Sequence, residues 1–270
     1  MLRNGCLNLI HFRIPSDVIS EYTRLADILL YIVQNDDDEF VQRLGIYLLN
    51  SLACQVDGEQ KTIVGNLGAI ERMLALIRKR YSRSICDEVM ETAWSTMWNV
   101  TDETPVNCER FLNDRGMDLF KNCMEKFSQC PELLRNMMGL LGNVSECSHL
   151  RYRLMKEDYI TRFISLLNSN SDGIEVSYNS AGILAHIASD GPEAWDRYLK
   201  FSRDEMLMQM QQAISRWEIN SKRNINYRSF EPILRILRAL HVSWQAQYWA
   251  VWALANLTRV HCKFLIYYYI

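Results

Sequence analysis

Apolar residues recur at intervals of three and four through most of this chain, and the phase of that recurrence marks out amphipathic helices. Val89, Ala93, Thr96, Met97 and Val100 share one face of a segment ending near residue 101. Leu133, Leu134, Met137, Leu140, Leu141 and Val144 do the same in a segment ending near 146. Each pattern predicts a long helix with one face in a core. Ahead of each lies a shorter pair of segments, "KTIVGNLGAIERMLALI" broken at Gly68 and "CERFLNDRGMDLFKNCM" broken at Gly116. Glycine there is expected to take the left-handed conformation that ends a helix. Runs that alternate apolar and polar, as strands do, are few, and glycine (11) and proline (5) are scarce.

The long helices end alike. Stacking "MWNVTDE" (97–103), "LGNVSEC" (141–147), "LAHIASD" (184–190) and "LANLTRV" (254–260) aligns Asn99, Asn143, His186 and Asn256 in one column, each opening a last helical turn. The spacings are 44, 43 and 70 residues. The first two match the period of armadillo or HEAT units, and the third implies an insertion. That insertion, residues 191–230, holds an amphipathic helix, "SRDEMLMQMQQAISRW", and a polar loop, "EINSKRNIN", before a helix resumes. Short helix, glycine, second helix, long third helix is the armadillo order. The expected fold is therefore all-α, an armadillo-like repeat solenoid winding as a right-handed superhelix, with residues 1–270 as a single domain. "QNDDDEF" (34–40) reads as a solvated connector that brings negative charge to the next helix N-terminus, where the dipole favours it.

Composition narrows the function. With 270 residues, 49% of them hydrophobic, the chain can bury a core without metals or disulfides. A balance of 30 basic against 32 acidic residues leaves no positive stripe for a phosphate backbone, so nucleic acid is not an expected partner. The eight cysteines (Cys6, Cys54, Cys86, Cys108, Cys123, Cys130, Cys147, Cys262) form no CxxC pair and no zinc spacing, and read as reduced, mostly buried small hydrophobes. No metal and no cofactor are expected. The N-terminus lacks a signal-peptide core, and no stretch approaches the roughly 18 apolar residues of a membrane helix, so the expected location is cytoplasmic or nuclear with no membrane partner.

Candidate chemistry lies at two adjacent helix ends. Trp98 and Asp102, four apart, share one helix face, as do Asn143 and Glu146, three apart in the next repeat. Solenoids bind along the surface made by their third helices. An aromatic wall, two carboxylates and an amide suit a cationic head followed by a peptide group. Asp102 and Glu146 would accept from an N-terminal ammonium, Asn143 would bond the first peptide unit in both directions, and Trp98 would close the pocket with an apolar or cation-π wall. Asn99 and His186 are lesser candidates from the same column, and Glu103 reads as solvent-facing. A structural role competes at each position: the column amide can brace a neighbouring backbone, a helix-end carboxylate can be solvated or capping, and Trp98 can be core. Catalysis is not expected. The best nucleophile and base, Cys147 and His186, are not joined by any motif.

Longer stretches carry a resemblance. "QRLGIYLLNSLACQVDG" (42–58), "AWSTMWNVTDETPVNCERFL" (93–112), "LLRNMMGLLGNVSE" (133–146), "SDGIEVSYNSAGILAHIASDGPEAW" (171–195) and "RNINYRSFEPILR" (223–235) resemble the armadillo region of the Zer and Zyg proteins, the Zer branch more closely, from about residue 15 to 258. Those proteins are substrate receptors of cullin-RING ubiquitin ligases. The resemblance implies a non-catalytic module that binds proteins with a free N-terminal glycine, or another small residue, for ubiquitin-dependent degradation. It places the family's tryptophan and aspartate at Trp98 and Asp102, and its asparagine and glutamate at Asn143 and Glu146. Full-length relatives reach elongin and cullin through an N-terminal box followed by leucine-rich repeats. Neither is visible in this sequence, and after "WAVWALANLT" it departs from the family into "HCKFLIYYYI". A fragment lacking both ends of the full-length architecture is the expectation. An importin-like or catenin-like scaffold, holding an extended peptide by its backbone without reading the N-terminus, is the alternative.

Overall fold

The computed structural model describes residues 21–35, 38–170, 174–218, 230–239 and 242–260. The N-terminal 20 residues, Asp36, Asp37, most of the polar loop (219–229) and the ending 261–270 lie outside the described residues, and Cys6 and Cys262 with them. Two compact units are present, Met1–Val144 and Ser145–Ile270.

In the first unit α1 (Tyr22–Asn35) and α2 (Glu39–Gln55) precede two full triplets: α3 (Gly58–Asn66), α4 (Ala69–Ser82) and α5 (Glu88–Thr101), then α6 (Pro105–Asn113), α7 (Gly116–Lys126) and α8 (Pro131–Glu146). The unit boundary falls in the last turn of α8. The apolar faces read from the sequence are the core: Val89, Ala93, Thr96, Met97 and Val100 of α5 are at most 1% exposed, and Leu133, Met137, Leu140, Leu141 and Val144 of α8 are at 0%. Burial of each Val, Leu or Met among them contributes about 1.5–3 kcal/mol. α2 packs beside α1 and α5, so third helices of successive repeats lie side by side.

Aspartates start α2, α3 and α5. Asp38 accepts from the Phe40 and Val41 amides of α2, Asp57 forms a capping box with Gln60 on α3, and Asp87 accepts from the Met90 amide of α5. Asp38, as cap, and Glu39, in the first turn, are thus residues of the acidic connector that meet the helix dipole. The glycine hinges divide. Gly68 takes the left-handed conformation, φ 83°, between α3 and α4. At the second break Arg115 takes it instead, φ 55°, and Gly116 begins α7. Gly116 is required for space: a Cβ there would lie 2.3 Å from Cε2 of Phe111.

The second unit opens with a 3-10 turn (Ser148–Arg153), followed by α9 (Glu157–Leu166), α10 (Glu175–Ala188), α11 (Pro192–Tyr198), α12 (Arg203–Ile214), α13 (Glu231–Arg238) and α14 (Trp244–Val260). α11 and α12 are an ordinary first and second helix, so the extra length follows Ile214 and includes α13, rather than filling 191–230 throughout. Every residue of α10 is buried, polar ones included. Its Tyr178 ring adjoins Trp217, Trp249 and Trp252, at 5.9, 5.5 and 5.7 Å.

Cysteines are less uniformly internal than their count suggests. Cys108 and Cys123 are buried, Cys86, Cys130 and Cys147 are half-buried, and Cys54 is exposed. No helix among the described residues is long and apolar enough to cross a membrane.

Candidate functional site

α5 ends without a glycine cap. The chain leaves the helix at Asp102 (φ −59°, ψ 125°), and Glu103 follows in the left-handed region at φ 55°, exposed to solvent. A helix end leaves its last carbonyls without intrahelical donors, and here side chains of three other helices supply them. Asn143 Nδ2 of α8 donates to the Trp98 carbonyl at 2.8 Å and to Thr101 Oγ1 at 3.0 Å. Asn107 Nδ2 of α6 donates to the Val100 carbonyl at 2.9 Å. Lys61 Nζ of α3 donates to the Asp102 carbonyl at 3.2 Å and to Asp102 Oδ2 at 2.7 Å. An ammonium here also complements the negative end of the helix dipole.

Trp98, Asp102 and Asn143 are each half-buried, in reach of both solvent and core. Trp98 projects from α5 onto α8, where the absence of a side chain at Gly139 admits its indole: a Cβ there would lie 2.3 Å from Trp98 Cε2. Asn143 lies one turn further along α8, so one helix both seats the ring and holds its carbonyl. Glu146, half-buried, is the last residue of α8. The carbonyls around it meet a guanidinium, Arg151 Nε donating to Ser145 O at 2.6 Å and Nη2 to Glu146 O at 3.5 Å.

The lesser candidates differ. Asn99 is half-buried and donates to Asn50 Oδ1 of α2 at 2.9 Å, extending the column one helix toward the N-terminus. "LLNSLA" (48–53) carries the signal for Asn50, but its 49-residue spacing hides it. His186 is 3% exposed, with Trp249 edge-on at 5.7 Å and no hydrogen-bond partner for Nδ1. Burial first, then the charges of Arg151 and Arg235, hold its pKa well below the usual histidine range, so the ring is neutral at pH 7. Asn256 is 1% exposed.

Sequence reasoning missed Lys61 and Asn107. Lys61, Val64 and Gly65 are the buried face of α3, and a lysine in that apolar phase was the available sign. Asn107 is fully buried and also donates to the Lys61 carbonyl at 2.9 Å. Gly65 makes room for it, since a Cβ there would overlap Asn107 Oδ1. Among the described residues no group of three or more His, Cys, Asp or Glu side chains is arranged to hold a metal ion.

The chain matches the family model described as "Protein zer-1 homolog-like, C-terminal domain" over residues 1–268. It is 53% identical to a "Protein zer-1 homolog" of Drosophila melanogaster, covering 97% of this chain and 36% of that protein. It is 51% identical to "Zyg eleven-related protein 1" of Caenorhabditis elegans, over 96% of this chain and 29% of that protein. With the human "Protein zer-1 homolog" the identity is 50%, over 98% of this chain and 35% of the relative. The chain thus spans about a third of the length of these relatives. Crystal structures of two engineered proteins share the fold, with TM-scores of 0.54 and 0.55 at 17% and 19% identity. The first alignment covers 87% of this chain and 97% of that protein, the second 86% and 58%.

Proposed function

The chain belongs to the family of zer-1 homologues, and on that premise we propose that it is a substrate-recognition module of a cullin-RING ubiquitin ligase, reading a free N-terminal glycine or other small residue. The observation that carries the reading is the end of α5. Trp98 is seated over Gly139, Asn143 fixes its carbonyl, and Asp102 leaves the helix with its carboxylate held. Those residue types at one half-buried place suit a short cationic terminus, and the family resemblance adds Glu146 as a proposed second acceptor. As the pocket wall in this reading, the indole would leave little room for a side chain, in keeping with glycine or another small residue. The role is non-catalytic in this proposal: elongin, cullin and the catalytic subunits complete the ligase, in cytoplasm or nucleus.

The scaffold alternative needs an accessible asparagine ladder on successive third helices. In the second unit α10 has no accessible face, and the column residues His186 and Asn256 are 3% and 1% exposed. That burial favours a local reader at α5 over a long backbone groove.

The test is calorimetry of this chain with a glycine-initiated peptide, its N-acetylated twin, and the Glu146→Gln variant. Free peptide should bind, the acetylated twin should not, and the variant should weaken binding about tenfold or more, as loss of one charge-assisted bond implies. Equal binding of both peptides would remove the N-terminus from the account and favour the scaffold.

A further inference from the structure

Lys61 is a charged residue in the middle of α3, yet its side chain is 1% exposed, while that of its partner Asp102 is 31% exposed. Its ammonium reaches both the carboxylate (Oδ2, 2.7 Å) and the carbonyl (3.2 Å) of Asp102. Two bonds to one residue fix both the side-chain rotamer and the backbone where the chain turns out of α5. The surroundings hold the lysine in turn: Asn107 Nδ2 ties the carbonyl of Lys61 to that of Val100, each at 2.9 Å. From the other side Thr104 Oγ1 donates to the Asp102 carbonyl at 3.0 Å.

We infer that Lys61 is a positioning residue of the N-terminus-reading site, setting the direction in which Asp102 presents its carboxylate and balancing that carboxylate's charge, without touching the ligand. The inference rests on the reading proposed above. As a unit the pair is neutral, so Asp102 meets an arriving ammonium as an oriented acceptor. Without Lys61 the same carboxylate loses that counter-charge and the 2.7 Å bond that sets its rotamer. Two effects then oppose each other. Long-range attraction for a cation grows, and it is screened over a Debye length of about 8–10 Å at ordinary salt. Short-range hydrogen-bond geometry is lost, and salt does not restore it.

Salt dependence therefore separates positioning from general damage. The experiment is calorimetric titration of the wild-type chain and Lys61→Met with a glycine-initiated peptide at a series of salt concentrations, with thermal melts of both. Lys61→Met is expected to weaken binding about tenfold at physiological salt and to steepen the decline of affinity with salt. Wild-type affinity in the variant overturns the inference. So does weaker binding with the wild-type salt slope, the mark of a purely structural lysine. If Lys61→Met does not fold, Lys61→Gln, which also removes the charge, is judged by the same two outcomes. Failure of the wild-type chain itself to bind overturns the N-terminus reading and this inference with it. Failure in the variants alone leaves that reading standing.

Discussion

The indole of Trp98 occupies the space that a side chain at position 139 would need: a Cβ on Gly139 would lie 2.3 Å from Cε2 and 2.5 Å from Cδ2 of the ring. Gly139→Ala must therefore displace the indole or separate α5 from α8. Overpacking of this kind costs about 1–3 kcal/mol, which lowers the melting temperature by about 2–4 °C per kcal/mol in a chain of this size. Binding of a glycine-initiated peptide should fall with it, since the ring is the proposed wall. A variant with wild-type melting and binding would show that Trp98 sits elsewhere.

Asp102 and Lys61 should not be equivalent when removed. Asp102→Asn takes the anionic partner from an ammonium at a position 1% exposed and leaves it the carbonyl of residue 102, whereas Lys61→Met leaves a carboxylate that is 31% exposed. Breaking a fully buried ion pair costs about 3–5 kcal/mol, reduced here because the carbonyl bond remains and the carboxylate was partly solvated. Asp102→Asn is expected to show the lower melting temperature of the two. The reverse order would mean that the lysine is not held in the core. Asp102→Asn by itself is therefore a poor binding control, because it alters the fold as well as the acceptor.

Acid should destabilise the second unit through His186. In the unfolded chain the ring protonates near its ordinary 6.5, whereas burial and the charges of Arg151 and Arg235 keep it neutral in the fold. Protons thus favour the unfolded state, and the histidine's contribution, present above pH 6.5, is lost as pH falls below it. The slope approaches about 1.4 kcal/mol per pH unit. His186→Phe, which keeps an aromatic ring beside Trp249, should flatten the decline in melting temperature between pH 6.5 and 5. An unchanged acid limb would assign the effect to other groups.

Thiol reactivity should follow burial and pairing. Cys86 is pushed up from 9.0 to about 12 by burial first, then by a side-chain hydrogen bond with Cys130, which stands 44 residues on at the equivalent place in the next repeat. Burial likewise raises Cys123 from 9.0 to about 12. At pH 8 an alkylating reagent should modify exposed Cys54 well before either, with mass spectrometry of digests giving the order. Folded-state stability from the two raised thiols is present below pH 9 and lost between 9 and about 12, since the unfolded chain releases those protons first. Early labelling of Cys123 would contradict its burial.

What the sequence determined by itself was whatever local spacing encodes. Apolar residues three and four apart settle which faces are buried, because a helix must hide one stripe. Spacings of 44 and 43 settle that one kind of helix end recurs along the chain, and the acidic connector was legible as charge brought to a helix N-terminus, which Asp38 caps. Tertiary structure decided what each side chain meets, which depends on atoms some 40 residues away in a neighbouring repeat. Asn143 and Asn99 look alike in sequence, yet one donates to the Trp98 backbone and the other to Asn50. His186 shares their column but lies in a helix buried on every side. Arg115 takes the left-handed position that Gly116 was expected to fill, and Gly116 serves packing instead, since the ring of Phe111 occupies the space where its Cβ would be. The carboxylate of Asp102 was visible at the end of α5 from the sequence. That Lys61 lies buried behind it became apparent only once α3 had folded against that end.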